Sequence, residues 1–362
     1  MKLAIISMGG KSSKLIAEEA KKHFAQVDQF NIKGIELHAT TKNLDVLYKG
    51  QPLKNYDCVY IRGSHKYALL QRSLTRALQF NSYMPIAPEA FTLAHNKFLT
   101  LLELQKNKVE IPTTYLAATT SSAKKILEKV NYPIIIKLPS GTHGKGVMFA
   151  DSISSAGSVL DTLDVSNQPY IIQEYIETNA TDIRVIVAGN KVLAAMKRKA
   201  QSGELRANIH MGAIGEKYDI NYDTEQLAIK SAKALGADIC AVDILEGSKS
   251  SVLEVNLSPG LSGIMQATKL NLAEKIAEFL AEKTAEFKKT SSKKGYKDIL
   301  EELELTQEKT PIKEILTNLE IKAGIIKIPK IITDITKFTP DDEVKLIIAK
   351  DKLIIQKHEI EK

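Results

Sequence analysis

The sequence predicts a mixed α/β (α+β) protein of more than one domain, on three observations. Short apolar runs alternate with amphipathic, helix-like stretches through roughly the first half, two hairpin patterns follow, and the last residues return to strand-like runs. At 362 residues the chain also exceeds the roughly 100–200 residues of a common single domain.

Over 1–92 the runs LAIISM and CVYIRG alternate with stretches such as KLIAEEAKKHF, the pattern of a small α/β domain. A helix pattern begins near residue 95 (HNKFLTLLELQKNK), Ile111-Pro112 breaks it, and strand and helix patterns alternate through 93–180, a second α/β unit. Over 181–288 the run DIRVIVAGNKVLAAMKRKA turns at Gly189-Asn190 as a β-hairpin. A helix (TEQLAIKSAKALG), a second hairpin (CAVDIL, EGSKSS, VLEVN) and a closing helix (LAEKIAEFLAEKTAEFKK) complete that unit. Residues 289–319, rich in Lys, Glu, Ser and Thr with a short amphipathic pattern at DILEELEL, read as a linker. Residues 320–362 carry strand runs around a Pro-started helix and a Pro-Asp-Asp turn, a small β-rich module.

A hydrophobic content of 44% with 26% charged residues suits a folded, water-soluble protein and excludes wholesale disorder. Cys58 and Cys240 each sit inside an apolar run, which argues against a disulfide framework or a zinc site and suits a reducing cytoplasm. LAIISM is shorter than a signal-peptide core, and no apolar stretch approaches the ~20 residues of a membrane span. The expectation is a cytoplasmic protein with no membrane partner. A net charge of +7 suits an anionic ligand, an acidic protein tail or, weakly, nucleic acid.

The chemistry-bearing residues lie between Lys97 and Asn256. Asp243 lies in one strand of the second hairpin, and Glu254 and Asn256, two apart on the other, share a face. Two carboxylates and an amide are the ligand type that Mg²⁺ takes together with phosphates and water. Spacing alone leaves an ordinary amphipathic hairpin with solvent-facing polar residues as an equal account. LPSGTHGKGV places Gly141, Gly144 and Gly146 after an apolar strand, with backbone N–H groups able to fold over phosphate and Lys145 adding charge; a glycine-rich hairpin turn is the other reading. Lys137 ends that strand and must reach water or meet an anion, whereas Lys97 on a helix face is weaker evidence. KRKAQSGELRANIH brings Lys197, Arg198, Lys199, Arg206, Asn208 and His210 together, a cluster that suits a triphosphate and an acidic substrate, or else a solvated basic loop. His210 could serve as a general base there.

Taken in order, Asn96-Lys97, IIIKLPSGTHGKGV, IIQEYI, DIRVIV, KRKAQSGELRANIH, AVDIL and LEVNLSPGL resemble the ATP-grasp superfamily, and within it the RimK-type glutamate ligases, over roughly residues 90–285. The resemblance implies an ATP-grasp fold preceded by a small Rossmann-like domain, 93–180 forming the lid and 181–288 the catalytic subdomain. It implies ATP as the nucleotide and Mg²⁺, with Mn²⁺ as the alternative ion, held by Asp243, Glu254 and Asn256. Gln173, Glu174, Tyr175 and Ile176 would offer adenine and ribose contacts, and Lys97 and Lys137 would bind phosphates under the glycine-rich loop. Asp182, Arg198, Arg206 and Asn208 match further nucleotide and acyl-phosphate contacts. The implied reaction activates a carboxylate as an acyl-phosphate, which an amine then displaces. The favoured substrate is glutamate, added to a protein C-terminus, as in ribosomal-protein modification, or to a small carboxylate; ligases of cofactor or amino-acid biosynthesis are the nearest rival. The departures concern the acceptor: His210-Met211-Gly212-Ala213 stands where two glycines are frequent, and Lys197 and Lys199 where acidic and arginine residues are frequent.

Residues 320–362 resemble the swapped-hairpin module of AbrB-like proteins, which implies a homo-oligomer. A nucleic-acid arm and a docking site for the acceptor are the other roles open to this segment, and its mixed charge favours dimerisation, since DNA binding wants a denser basic stripe. A nucleotide-sensing DNA-binding regulator is the contrasting reading, and the intact Asp243, Glu254 and Asn256 argue against it.

Overall fold

A computed structural model describes residues 1–41, 43–138, 146–164, 169–200 and 214–304, together with four short strands and scattered residues within 320–357. The chain divides into two compact units, Met1–Tyr296 and Lys297–Lys362.

The first unit opens with β1 (Lys2–Ser7), whose run LAII is completely buried, as a central parallel strand requires. Helix α1 (Lys11–Ala20) buries Ile16, Ala17 and Ala20 on one face. β2 (Gln26–Asn31) follows, then β3 (Ile35–Ala39), β4 (Leu44–Tyr48) and β5 (Gln51–Pro52), a small antiparallel sheet, and β6 (Cys58–Ile61). β2, β1 and β6 lie side by side in that order, all parallel. After α2 (Ala68–Leu78), α3 (Pro88–Leu93) starts on proline, whose missing N–H costs nothing in a first turn. α4 (Lys97–Lys106) is capped by Asn96, whose Oδ1 accepts from the N–H groups of Phe98 and Leu99.

The middle segment builds β7 (Thr114–Ala117), α5 (Thr120–Leu127), β8 (Ile134–Lys137), β9 (Val147–Ala150), α6 (Ile153–Leu163) and β10 (Tyr170–Glu174). The four strands form an antiparallel sheet in the order β7-β10-β8-β9. Side chains of Thr119 and Ser152 cap its two helices. This sheet has a core of its own, with Leu127, Ile134, Ile136, Leu160 and Ile172 at its centre.

The third segment comprises β11 (Thr181–Ala188), β12 (Lys191–Lys199), β13 (Ile214–Lys217), α7 (Tyr222–Ala234), β14 (Ile239–Glu246), β15 (Ser250–Asn256), α8 (Ser262–Thr268) and α9 (Leu272–Glu304). Its antiparallel sheet runs β13-β12-β11-β14-β15. The β11–β12 turn needs glycine at 189, where φ is +59° and a Cβ would stand 2.8 Å from the Phe279 ring. On α9, Leu272, Ile276 and Leu280 recur every four residues and are fully buried, each contributing about 1.5–3 kcal/mol of transfer free energy.

The β1 layer and the β11 sheet share one continuous core. Both predicted hairpins form, and so does the alternation of strand and helix. Three features differ from the sequence reading. The antiparallel sheet over 35–52 was not foreseen, because its strands are short and largely exposed. The domain expected over 1–92 is a separate layer but not a separate core. The linker expected from 289 is helical through Glu304, where abundant Lys, Glu and Leu favour continuation of α9. In the second unit β16 (Glu320–Lys322) pairs with β17 (Ile325–Lys327), and β18 (Val344–Ala349) with β19 (Lys352–Lys357), both antiparallel. The Pro-started helix expected between them lies largely outside the described residues. Among those residues no helix is long and apolar enough to cross a membrane, and Cys58 and Cys240 are buried free thiols.

Candidate active site

Sheet register decides which polar groups meet. Across three strands Arg184 of β11 stands opposite Asp243 of β14, which stands opposite Glu254 of β15; Asp182, two residues before Arg184, stands opposite Arg198 of β12. A bulge between Asp243 and Ile244 inserts Leu253 as an extra residue in β15 and re-aims the strand at this point.

Asp243 is the hub. Arg184 Nε and Nη2 donate to its two carboxylate oxygens at 2.8 and 2.6 Å, and Arg198 Nη2 lies 3.0 Å from Oδ2. Arg198 also forks onto Asp182, donating through Nε and Nη2. Asp182, Arg198 and Asp243 are all buried. Burial pushes the Asp243 carboxyl up, but the two guanidinium groups outweigh it and hold the group well below the usual carboxylate range. Asp182 is raised by burial despite Arg198, and Glu254 is raised by burial and then by the charge of Asp243. Three donors on Asp243 leave one of its roughly four acceptor positions open, on Oδ1. Asn256, two residues beyond Glu254, folds its Oδ1 back to accept from Ser258 N–H at 2.9 Å.

These residues line one cavity of about 1060 Å³, which also receives Lys97, Lys137 and the segment Gln173–Ile176 at the end of β10. That volume exceeds the ~300–1,000 Å³ of a typical small-molecule site and has room for two substrates. The Lys137 ammonium donates to Gln173 Oε1 at 2.6 Å, and Gln173 Nε2 donates to Thr114 Oγ1 at 2.7 Å. Burial lowers Lys137 to about 8, and Lys97 is lowered by the same cause. The side chain expected of Gln173 as a nucleotide contact is therefore already engaged in orienting Lys137. Tyr175 meets Phe149 edge-on, with ring centroids 5.4 Å apart, at the cavity wall.

The structure thus brings together Lys97, Lys137, Gln173, Glu174, Tyr175, Ile176, Asp182, Arg198, Asp243, Glu254 and Asn256. Gly146 is described, with a positive φ of +75°. Gly141, Gly144, Lys145, Arg206, Asn208 and His210 lie outside the described residues. Lys197, from the same basic cluster, points elsewhere, donating to Glu246 Oε2 at 3.1 Å. Sequence reasoning missed Arg184 and Thr114. An arginine in the apolar run DIRVIV was the available signal for the first, and nothing marked the second. Among the described residues no three His, Cys, Asp or Glu side chains cluster as a metal site. The set of two carboxylates and an amide has the oxygen chemistry that suits an ion sharing its shell with phosphate.

Residues 94–280 match the RimK-like ATP-grasp domain, just over half of the chain. The chain is 32% identical over 296 residues to a probable alpha-L-glutamate ligase of Picosynechococcus, covering 98% of that protein and 80% of this one. It is 33% identical over 299 residues to another from Pseudoalteromonas translucida, covering 99% of it. This chain belongs to the RimK-like ATP-grasp ligase family. Solved ATP-grasp ligases share the fold. PsnB, solved with a precursor variant, Mg and ADP, superposes with a TM-score of 0.61 at 16% identity, over 78% of this chain and 98% of its own. The macrocyclase MdnC of Microcystis aeruginosa MRC, bound to its precursor peptide, superposes with a TM-score of 0.59 at 16% identity, over 78% and 100%. As a RimK-like ligase the chain is an ATP-dependent, amide-forming enzyme. Matching nearly all of each of these relatives still leaves about a fifth of the chain unmatched.

Proposed function

We propose that this ligase joins glutamate, through its amine, to a carboxylate at the end of a protein chain or on a small molecule, using ATP and Mg²⁺. The observation that carries the reading is the row Arg184–Asp243–Glu254 with Asn256, set in one cavity with Lys97 and Lys137. The glutamate assignment rests on the relatives, which are named for it.

Asp243, Glu254 and Asn256 would hold the ion, whose chemistry is neutralisation of phosphate charge. Asp243 meets the requirement that a ligand be ionised, since Arg184 and Arg198 keep it so. Lys97 and Lys137 place two cations against the phosphates, and the Gln173–Thr114 pair fixes where Lys137 points. Arg198 stands at the carboxylate end, where negative charge moves from the attacking oxygen to the acyl-phosphate. The acceptor carboxylate attacks the γ-phosphate and releases ADP, and the incoming amine then displaces phosphate to leave an amide.

ADP release with Mg²⁺ and ATP, scanned across amino acids with and without acidic peptides, tests the reading. Stimulation by glutamate together with a peptide is the expected result; stimulation only by other amino acids would replace glutamate.

Lys137 gives the site a pH signature. Its folded pKa of about 8 lies below that of a free lysine, so in the free protein the charge is present below about 8 and is lost as pH rises through it. A phosphate beside the ammonium favours the charged form, so nucleotide affinity is expected to hold from pH 6.5 to 7.5 and to fall about tenfold per unit above about 8. Calorimetric titration with ADP at stepped pH checks this, and Lys137→Arg should flatten the profile.

The second unit, with its two antiparallel hairpins, we read as a dimerisation module of swapped-hairpin type. Truncation after residue 296 is expected to convert a dimer to a monomer in size-exclusion chromatography; an unchanged mass sinks that role.

A further inference from the structure

Arg62, just past the end of β6, is a buried cation surrounded by neutral partners. It is 4% exposed. Its Nε donates to Ser13 Oγ at 3.1 Å, its Nη1 to the Tyr60 hydroxyl at 2.9 Å and its Nη2 to the Pro259 carbonyl at 2.7 Å. Those bonds use three of five N–H groups and supply no opposite charge. Arg184 and Arg198, in the same cavity, share Asp182 and Asp243; among the described residues no carboxylate pairs with Arg62. A buried guanidinium left in that state costs stability unless an anion completes it.

The surroundings carry the same sign. Arg62 lies beyond the carboxyl ends of neighbouring parallel strands, where open α/β sheets bind ligands. Helix α1 starts there on Gly10, with no side-chain cap and no acidic residue in its first turn, and a Cβ built on Gly10 meets nothing within 4 Å. No side chain caps its first N–H groups, and the amino end of a helix favours an anion. The cavity wall made by Ser12, Ser13, Arg62, Gly63, Ser64 and His65 contains no acid, whereas Asp243 and Glu254 lie on the β11-sheet wall. The two walls are joined: Gly63 N–H donates to Ser258 Oγ at 3.0 Å, and Ser258 N–H to Asn256 Oδ1 at 2.9 Å.

We propose that Arg62 and the amino end of α1 form a carboxylate subsite that holds a free, non-reacting carboxylate of the amino acid being added. The proposal rests on the ligase reading above and specifies its substrate class. An amino acid that reacts through its amine arrives with its carboxylates intact, and the guanidinium fork matches one of them. The tie through Ser258 sets that anchor beside the Glu254–Asn256 strand.

The test is calorimetric binding of L-glutamate to the full chain with Mg²⁺ and a non-hydrolysable ATP analogue. Arg62→Gln is expected to weaken glutamate on the order of tenfold to a hundredfold, with Arg62→Lys intermediate and analogue affinity unchanged. On the unaltered protein, one of L-glutamine and glutamate α-amide should lose binding to the same degree, a result that needs no variant to fold. Equal binding of both amides, an Arg62→Gln protein that binds glutamate normally, or occupancy by inorganic phosphate with no glutamate binding would overturn the subsite. ADP release measured in parallel separates the two readings. Glutamate bound through Arg62 without glutamate-dependent ADP release removes glutamate as the added substrate and leaves the subsite. Glutamate-stimulated release with unchanged half-saturation in Arg62→Gln removes the subsite and leaves the ligase.

Discussion

Replacing Glu254 by glutamine is expected to lower ADP release by on the order of 10²- to 10³-fold while leaving the fold as stable as before or slightly more so. The two effects part because Glu254 is a charge held against its own preference. Burial and the neighbouring Asp243 both raise its carboxyl, so a neutral amide of the same shape relieves repulsion across the β14–β15 ladder. What the amide cannot do is donate an anionic oxygen to a cation shared with phosphate. Steady-state ADP release and a thermal melt on the same sample check the pair of outcomes. Normal release from Glu254→Gln would remove this residue from the ion site.

Asp243→Ala is expected to lose both properties. Arg184 would be left without its forked partner and Arg198 with Asp182 alone, in a network where Asp182 and Arg198 are buried and Arg184 is largely so. Removing one partner of a buried ion pair costs about 3–5 kcal/mol, because the remaining charge is stranded. Chemical denaturation should show that loss, and ADP release should fall below detection. A variant as stable as the parent would mean that Arg184 and Arg198 find other partners, and that the Asp243 hub does not organise the site. The contrast between Glu254 and Asp243 is itself informative: the same hairpin carries one carboxylate that is favoured where it stands and one that is not.

The candidate site was legible in the sequence wherever a local rule placed it. The period of two in a hairpin put Glu254 and Asn256 on one face, and Lys137 stood out as a cation ending an apolar strand, but only the family resemblance joined the pair with Asp243 as one set. Arg184 escaped because its partner is set by the register between β11 and β14, fifty-nine residues apart in the chain, which no local pattern encodes. Gln173 lines the cavity, but its engagement with Lys137 depends on the pairing of β10 with β8. Arg62 stood in view at the end of CVYIRG, yet its lack of a counter-charge is a property of burial alone. The same division holds for the fold. Long periodic elements such as α4, α7 and both hairpins were readable, whereas the short strands over 35–52 were not. The stretch after residue 288 misled because the polar composition that marks a linker also suits the solvent-facing surface of a long helix.

The division of the first unit into two hydrophobic cores constrains how such an enzyme can diversify. The sheet around Ile134 and Ile172 is packed on itself, so segments joining its strands can lengthen, shorten or stiffen without disturbing the rest. The layer bearing Arg62 has no such independence, because Ile5, Val59 and Tyr60 belong to the same core as Val185, Val242 and Val255, which support the Asp243–Glu254 ladder. Remodelling the layer that carries the proposed carboxylate subsite therefore strains the scaffold of the proposed ion site. New acceptor preferences should arise through side chains that line the cavity, or through segments appended outside the shared core, sooner than through changes in the strands of β1 and β6.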